Sequence, residues 1–162
     1  MLKFNKEDRL EENGRVVEDG HYTLEDGTQV WVKDGLKHRL DGPAEIRFND
    51  YFKYWYYHGV NYRIEDPSLP SIIGSDGLEA YTDKAGNPHN NKGPALIYQD
   101  GEIQYWLNNK YYPDIKTDEE WVQEVLHILK GTSKNPFRNG TLKKEGYFRY
   151  RGQALRDYKE LD

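Results

Sequence analysis

The stretch His38-Arg39-Leu40-Asp41-Gly42-Pro43-Ala44 returns 51 residues later as His89-Asn90-Asn91-Lys92-Gly93-Pro94-Ala95. The same displacement carries Tyr54-Trp55 onto Tyr105-Trp106, and a displacement of 24 carries Trp31, Gly35 and Arg39 onto Trp55, Gly59 and Arg63. Self-similarity at a fixed spacing of about 24–27 residues marks a repeat architecture, in which one small supersecondary unit buries its apolar face against its neighbours. Each half-unit is a short run bounded by turn dipeptides: Asp26-Gly27, Asp34-Gly35, His58-Gly59, Asp100-Gly101. Such dipeptides supply the positive φ of tight turns, so the unit reads as strand–turn–strand. Gly42-Pro43 and Gly93-Pro94 punctuate the entry to the second strand, where a proline is tolerated.

Working outward, units start near Asp26, Tyr51, Gly77 and Gly101, the third with a weak strand from Glu79 to Asp83. A last partial unit is expected at Tyr147-Phe148-Arg149-Tyr150-Arg151-Gly152, with Arg156 behind it. The predicted fold class is mainly β: tandem antiparallel β-hairpins in an extended or coiled sheet, with one inserted amphipathic helix. Four segments follow: a loose charged arm over 1–15, hairpins over 16–112, a helical cap over 113–140, and a degenerate unit with a tail over 141–162.

Strand alternation sorts the faces. Val30 and Val32, then Phe52, Tyr54 and Tyr56, then Ile103, Tyr105 and Leu107 form an apolar face expected to be core. The reverse is polar but for one indole per unit, so Trp31, Trp55 and Trp106 are expected in a row. In the second strand, Ala44, Ile46 and Phe48 are expected on one side, with Glu45 and Arg47 on the other. The helix is expected from Thr117, whose pairing with Glu120 makes a capping box, to a stop at Gly131. Trp121, Val122, Val125, Leu126, Ile128 and Leu129 form its apolar stripe, which has to cover a sheet end or the Trp face.

Composition narrows the chemistry. The 162 residues carry 23 Lys+Arg against 28 Asp+Glu, for a net charge of −5, and no Cys. Hydrophobic content is low at 36%, but 14% of the chain is aromatic, which argues for a thin core of Trp and Tyr rather than disorder. Without Cys there is no disulfide, thiolate zinc site or cysteine nucleophile. The acidic balance disfavours a grip on nucleic acid. No apolar run approaches the ~20 residues of a membrane span, and the charged N-terminus lacks the apolar stretch of a signal peptide, so a cytoplasmic protein is expected.

Histidines His38 and His89 recur in register and are expected to bond a neighbouring turn. No serine sits in a nucleophile elbow and no phosphate-cradling glycine motif appears. No cofactor, metal site or catalytic residue is assigned. Arg39 and Arg63 also recur. They are read either as a ladder of hydrogen bonds to turn carbonyls, Asp41 and Glu65, or as guanidinium groups free to take carboxylate or phosphate. Trp31, Trp55, Tyr57 and Trp106, with Arg39, Arg63 and Lys53, form the candidate partner-binding set, because Tyr, Trp and Arg dominate interface hot spots.

The pattern Trp31…Gly35…His38-Arg39…Asp41-Gly42-Pro43-Ala44, recurring at 24–27 residues, resembles the aspartate-glycine-proline-alanine repeat proteins of tailed phages and giant viruses. These are themselves similar to variants of the membrane occupation and recognition nexus (MORN) repeat. The resemblance covers roughly residues 20–112; Asp66-Pro67, Asn90 and Lys92 depart from it. It implies a virus-encoded, non-catalytic β-hairpin scaffold that binds or sequesters a host protein such as a defence or toxin component. Two alternatives stay open: a small-ligand or nucleotide binder or cryptic hydrolase, and a structural virion part that self-assembles through open strand edges or the helix.

Overall fold

The computed structural model describes residues 1–136; the expected unit at Tyr147 to Arg156 lies outside the described residues. The fold is mainly β, with antiparallel sheets and one helix. Strands β1 (Leu2–Phe4), β2 (Leu10–Glu12) and β3 (Arg15–Val16) form a three-stranded sheet. The central sheet contains β4 (Gly20–Thr23), β5 (Gln29–Lys33), β6 (Leu36–Lys37), β7 (Glu45–Arg47) and β8 (Phe52–Tyr54). Strands β9 (Tyr56–Tyr57) and β10 (Val60–Asn61) pair apart from it as a hairpin. The central sheet continues through β11 (Ile72–Gly74), β12 (Glu79–Ala80), β13 (Leu96–Ile97) and β14 (Ile103–Gln104). A second hairpin, β15 (Trp106–Leu107) with β16 (Lys110–Tyr111), precedes α1 (Asp118–Lys130).

The central order is β14-β13-β12-β11-β8-β7-β5-β4, with β6 paired to β5, so each strand lies beside its nearest sheet neighbour in the chain. The turns explain this order. At Asp26-Gly27, Asp76-Gly77 and Asp100-Gly101 the glycine has φ of 88°, 103° and 88°. In each, the Asp Oδ1 accepts the N–H two residues on, from Thr28, Leu78 and Glu102 at 2.9, 3.1 and 2.9 Å. The side chain closes the turn before the strands meet, which is the local preference of Asp at such positions.

Register decides which face is buried. Val30, Glu45, Tyr54, Ile72, Ala80, Leu96 and Gln104 stand directly opposite one another across seven strands, and all are buried. One residue along, Gln29, Ile46, Lys53, Ile73, Glu79, Ile97 and Ile103 form the reverse row, none of them buried. The second-strand expectation is therefore inverted at β7. Glu45 is on the buried row and only 2% exposed, Ile46 is on the open row, and Phe48 is 64% exposed. Glu45 is held there by Lys37 and Arg47, both paired with its carboxylate. The ammonium of Lys37 also lies 4.8 and 5.0 Å from the Phe4 and Tyr56 ring centroids.

The first fifteen residues, expected as a loose arm, are instead strands. Leu10 is fully buried with Val30 and Val32, and Leu2 and Phe4 pack against them. The charged residues between them made the segment look unstructured, yet Leu2 and Phe4 lie on alternate positions of a strand and share one face. A second buried group, Asn61, Ser71 and Thr82, is polar and internally satisfied. Asn61 Nδ2 donates to the Trp55 and Ser71 carbonyls, and the Ser71 and Thr82 hydroxyls bond at 2.8 Å.

The helix has the expected limits. Thr117 Oγ1 accepts the Glu120 N–H at 3.1 Å, and Gly131 closes the helix at φ 71°. Trp121 and Val125 are buried against Tyr105, Leu107, Tyr112 and Ile115. Val122, Leu126 and Leu129 are exposed, so the stripe is only half covered among the described residues.

Candidate functional site

Four aromatic residues occupy one recurring backbone station. The N–H groups of Trp31, Trp55 and Tyr81 donate to the carbonyls of Ala44, Ser71 and Ala95. The carbonyls of Trp31, Trp55, Tyr81 and Tyr105 accept the N–H groups of His38, Tyr62, His89 and Tyr112. Tyr105, not Trp106, therefore continues the row. Trp106 is 2% exposed, belongs to the core cluster with Tyr54 and Tyr56, and stacks on Tyr111 at 5.2 Å. The apparent match of Tyr54-Trp55 to Tyr105-Trp106 is one residue out of register in the strand, and a one-residue slip moves every side chain to the other face. Ile103, Tyr105 and Leu107 change faces with it: Ile103 is exposed, while Tyr105 and Leu107 are covered by α1.

At the first two stations the aromatic ring carries a guanidinium. Arg39 Cζ lies 4.0 Å from the Trp31 centroid and Arg63 Cζ 4.0 Å from that of Trp55. Arg39 donates from Nε to Asp41 at 3.0 Å and from Nη1 to the Pro43 carbonyl at 3.1 Å. Arg63 repeats both, to Glu65 at 3.3 Å and to the Pro70 carbonyl at 3.1 Å. This is the ladder of turn carbonyls and acids, and the stack is the planar geometry that arginine favours. Trp55 is 6% exposed, and its Nε1 donates to Glu65 at 2.7 Å. Trp31 remains half-buried, with the His21 ring stacked 4.2 Å away. The expected row of three indoles is thus two indole–guanidinium stacks, with Trp106 turned into the core.

Lys53 stands on the open row, directly opposite Ile46 and Ile73. Tyr57 sits beside the histidines, 5.2 Å from His38 and 4.5 Å from His58. Sequence reasoning missed Tyr81 and Tyr105. A spacing signal was present: each station falls four residues after a turn position, Gly27 to Trp31, Tyr51 to Trp55, Gly77 to Tyr81, Gly101 to Tyr105.

The recurring histidines tie one turn to the next. His38 Nδ1 accepts the His58 N–H at 2.9 Å, and His89 Nδ1 accepts the Asn108 N–H at 3.0 Å. An acceptor nitrogen has to be unprotonated. Burial holds both rings below the ordinary value of 6.5, reinforced at His38 by the charges of His58 and Lys33 and opposed at His89 by Asp83. With the folded value depressed, the unfolded chain binds protons first as pH falls. The stability from these contacts is complete above 6.5 and is lost on descending through that value towards the folded one. Urea midpoints measured between about pH 7.5 and pH 5 should fall, and a His38→Ala/His89→Ala variant should show a shallower fall over that range.

No family model, curated protein or solved structure matches the chain. Among the described residues, no helix is long and apolar enough to cross a membrane.

Proposed function

We propose that this chain is a tandem β-hairpin repeat protein, MORN-like in character, that binds another protein through the open face of its central sheet and performs no catalysis. The observation that carries this reading is the open row itself. Ile46, Ile73, Ile97 and Ile103 alternate there with Lys53 and Glu79, beside the Trp31–Arg39 and Trp55–Arg63 stacks. Ile103 is exposed and Ile46, Ile73 and Ile97 are half-buried, a partly covered apolar strip edged by charge that a partner would finish burying. Resemblance to the aspartate-glycine-proline-alanine repeat proteins makes the partner a host protein, such as a defence or toxin component, and the bearer a virus.

The test is comparative capture. Lys53→Glu combined with Ile73→Lys keeps opposite charges side by side along the row, next to Glu79, and so preserves the sheet. Its circular dichroism should match the parent, while a partner captured by the parent should bind roughly tenfold or more weakly. Equal capture by both proteins would place the interface elsewhere.

A second reading, a small-ligand binder, draws on a cavity of about 350 Å³ lined by Phe4, Asp8, Asp26, Lys37, Glu45 and Arg47. A thermal-shift screen with nucleotides and divalent metals separates it from the first.

A further inference from the structure

The third station departs from the first two, and the departure opens a cleft. Where Arg39 and Arg63 stand, the chain has Asn90, and where Asp41 and Glu65 stand it has Lys92. Asn90 keeps one of the contacts: its Nδ2 donates to the Pro94 carbonyl at 3.0 Å, as Arg39 does to Pro43 and Arg63 to Pro70. Its side chain is too short to lie over the ring. Among the described residues, no guanidinium or ammonium stacks on Tyr81 as one does on Trp31 and Trp55. The half-buried Tyr81 instead lines a cleft of about 740 Å³, together with Asp83, Asn90, Lys92, Pro94 and Asp118.

We propose that this cleft is a guanidinium site, which takes from outside the arginine side chain that the first two stations supply from within. Tyr81 provides the aromatic floor, and its hydroxyl donates to Glu79, which keeps the ring in place. The Pro94 carbonyl retains a second lone pair beside Asn90. Asp83 and Asp118 are the acids that line the cleft, in the role Asp41 and Glu65 play for Arg39 and Arg63. Asp118 is fixed there by the Tyr105 hydroxyl, which donates to it at 2.7 Å. Lys84 and Lys92 also line the cleft, so its charge is mixed, and selection rests on planarity more than on net charge. A flat guanidinium stacks and donates at once, which a compact ammonium does not. The cleft shares Ile97 with the open row, and Glu79 of that row holds Tyr81, but the site does not depend on that row binding protein.

The probes are Nα-acetyl-arginine amide, free L-arginine and Nα-acetyl-lysine amide, titrated into the full chain and followed by amide NMR shifts. Saturable shifts at Tyr81 and Asn90 to Gly93, with a Kd on the order of millimolar for the arginine probes and at least several-fold weaker for lysine, are expected. Tighter binding of the amide than of free arginine assigns the site to peptide-borne arginine; the reverse assigns it to the amino acid. Asn90→Arg, which restores the residue type of the first two stations, should abolish the shifts by filling the cleft. Tyr81→Leu should abolish them by removing the floor, and Lys53→Glu alone, which leaves Ile73 opposite Glu79 unchanged, should leave them intact. Equal shifts with lysine, no saturable shifts, or undiminished binding in both Asn90→Arg and Tyr81→Leu would overturn the proposal.

Discussion

Glu45→Ala should cost roughly 3–5 kcal/mol of folding stability, because removing one member of a buried ionic group leaves its partners uncompensated. Glu45 is opposite Val30 on one side and Tyr54 on the other, within the buried row. Lys37 and Arg47 converge on its carboxylate from β6 and β7, and Arg47 lies over the Tyr54 ring at 4.9 Å. Without the acid, two cations face each other beside a cavity, and neither ring contact replaces the lost charge. Urea unfolding checks the value. Glu45→Gln, which keeps an acceptor oxygen, should lose less than Glu45→Ala. A loss below about 1 kcal/mol in Glu45→Ala would mean that both cations reach water, as at an exposed pair.

Trp121→Ala should cost about 3–5 kcal/mol from the truncated ring alone, the range for removing a large buried aromatic. Trp121 is fully buried, 5.5 Å from Tyr105 and 5.2 Å from Tyr112, and its Nε1 donates to the Asn90 carbonyl at 2.6 Å. A 13-residue helix is marginal in water when undocked, so α1 should melt while the sheet persists. Far-UV circular dichroism should lose the helical signal at a temperature where the β signal remains. Trp121→Phe keeps an aromatic ring but removes the hydrogen bond and part of the ring volume, and should cost less than Trp121→Ala, with about 1 kcal/mol of the loss coming from the hydrogen bond. A single concerted transition at an unchanged midpoint in Trp121→Ala would remove Trp121 as the anchor.

What was legible in the chain was local. The capping box at Thr117, the glycine stop at Gly131 and the Asp-Gly turns each act within a few residues, and their side chains bond where the sequence says they should. What was hidden depends on register. Glu45 reads as a solvent-facing charge until β7 is paired with β5 and β8, because pairing puts it on the buried row and brings Lys37 to it, while Arg47 lies two residues along the same strand. Trp106 reads as a repeat of Trp55 because indole matched indole, although hydrogen bonding aligns Trp55 with Tyr105. The third station was obscured by a longer excursion: His89 follows Tyr81 by eight residues, whereas His38 follows Trp31 by seven. The first strands went unread because Leu2, Phe4 and Leu10 complete their packing with Val30 and Val32 of β5, twenty or more residues along the chain.

The sheet's nearest-neighbour order also has a kinetic consequence. Since no central strand crosses over another to find its mate, the loops closed during assembly are short and cost little entropy. A chain of this kind zips: any adjacent pair can nucleate, and growth proceeds outward in both directions. Tension applied at the two ends should then release strands one after another from the outside in, giving a staircase of small rips rather than one large rupture.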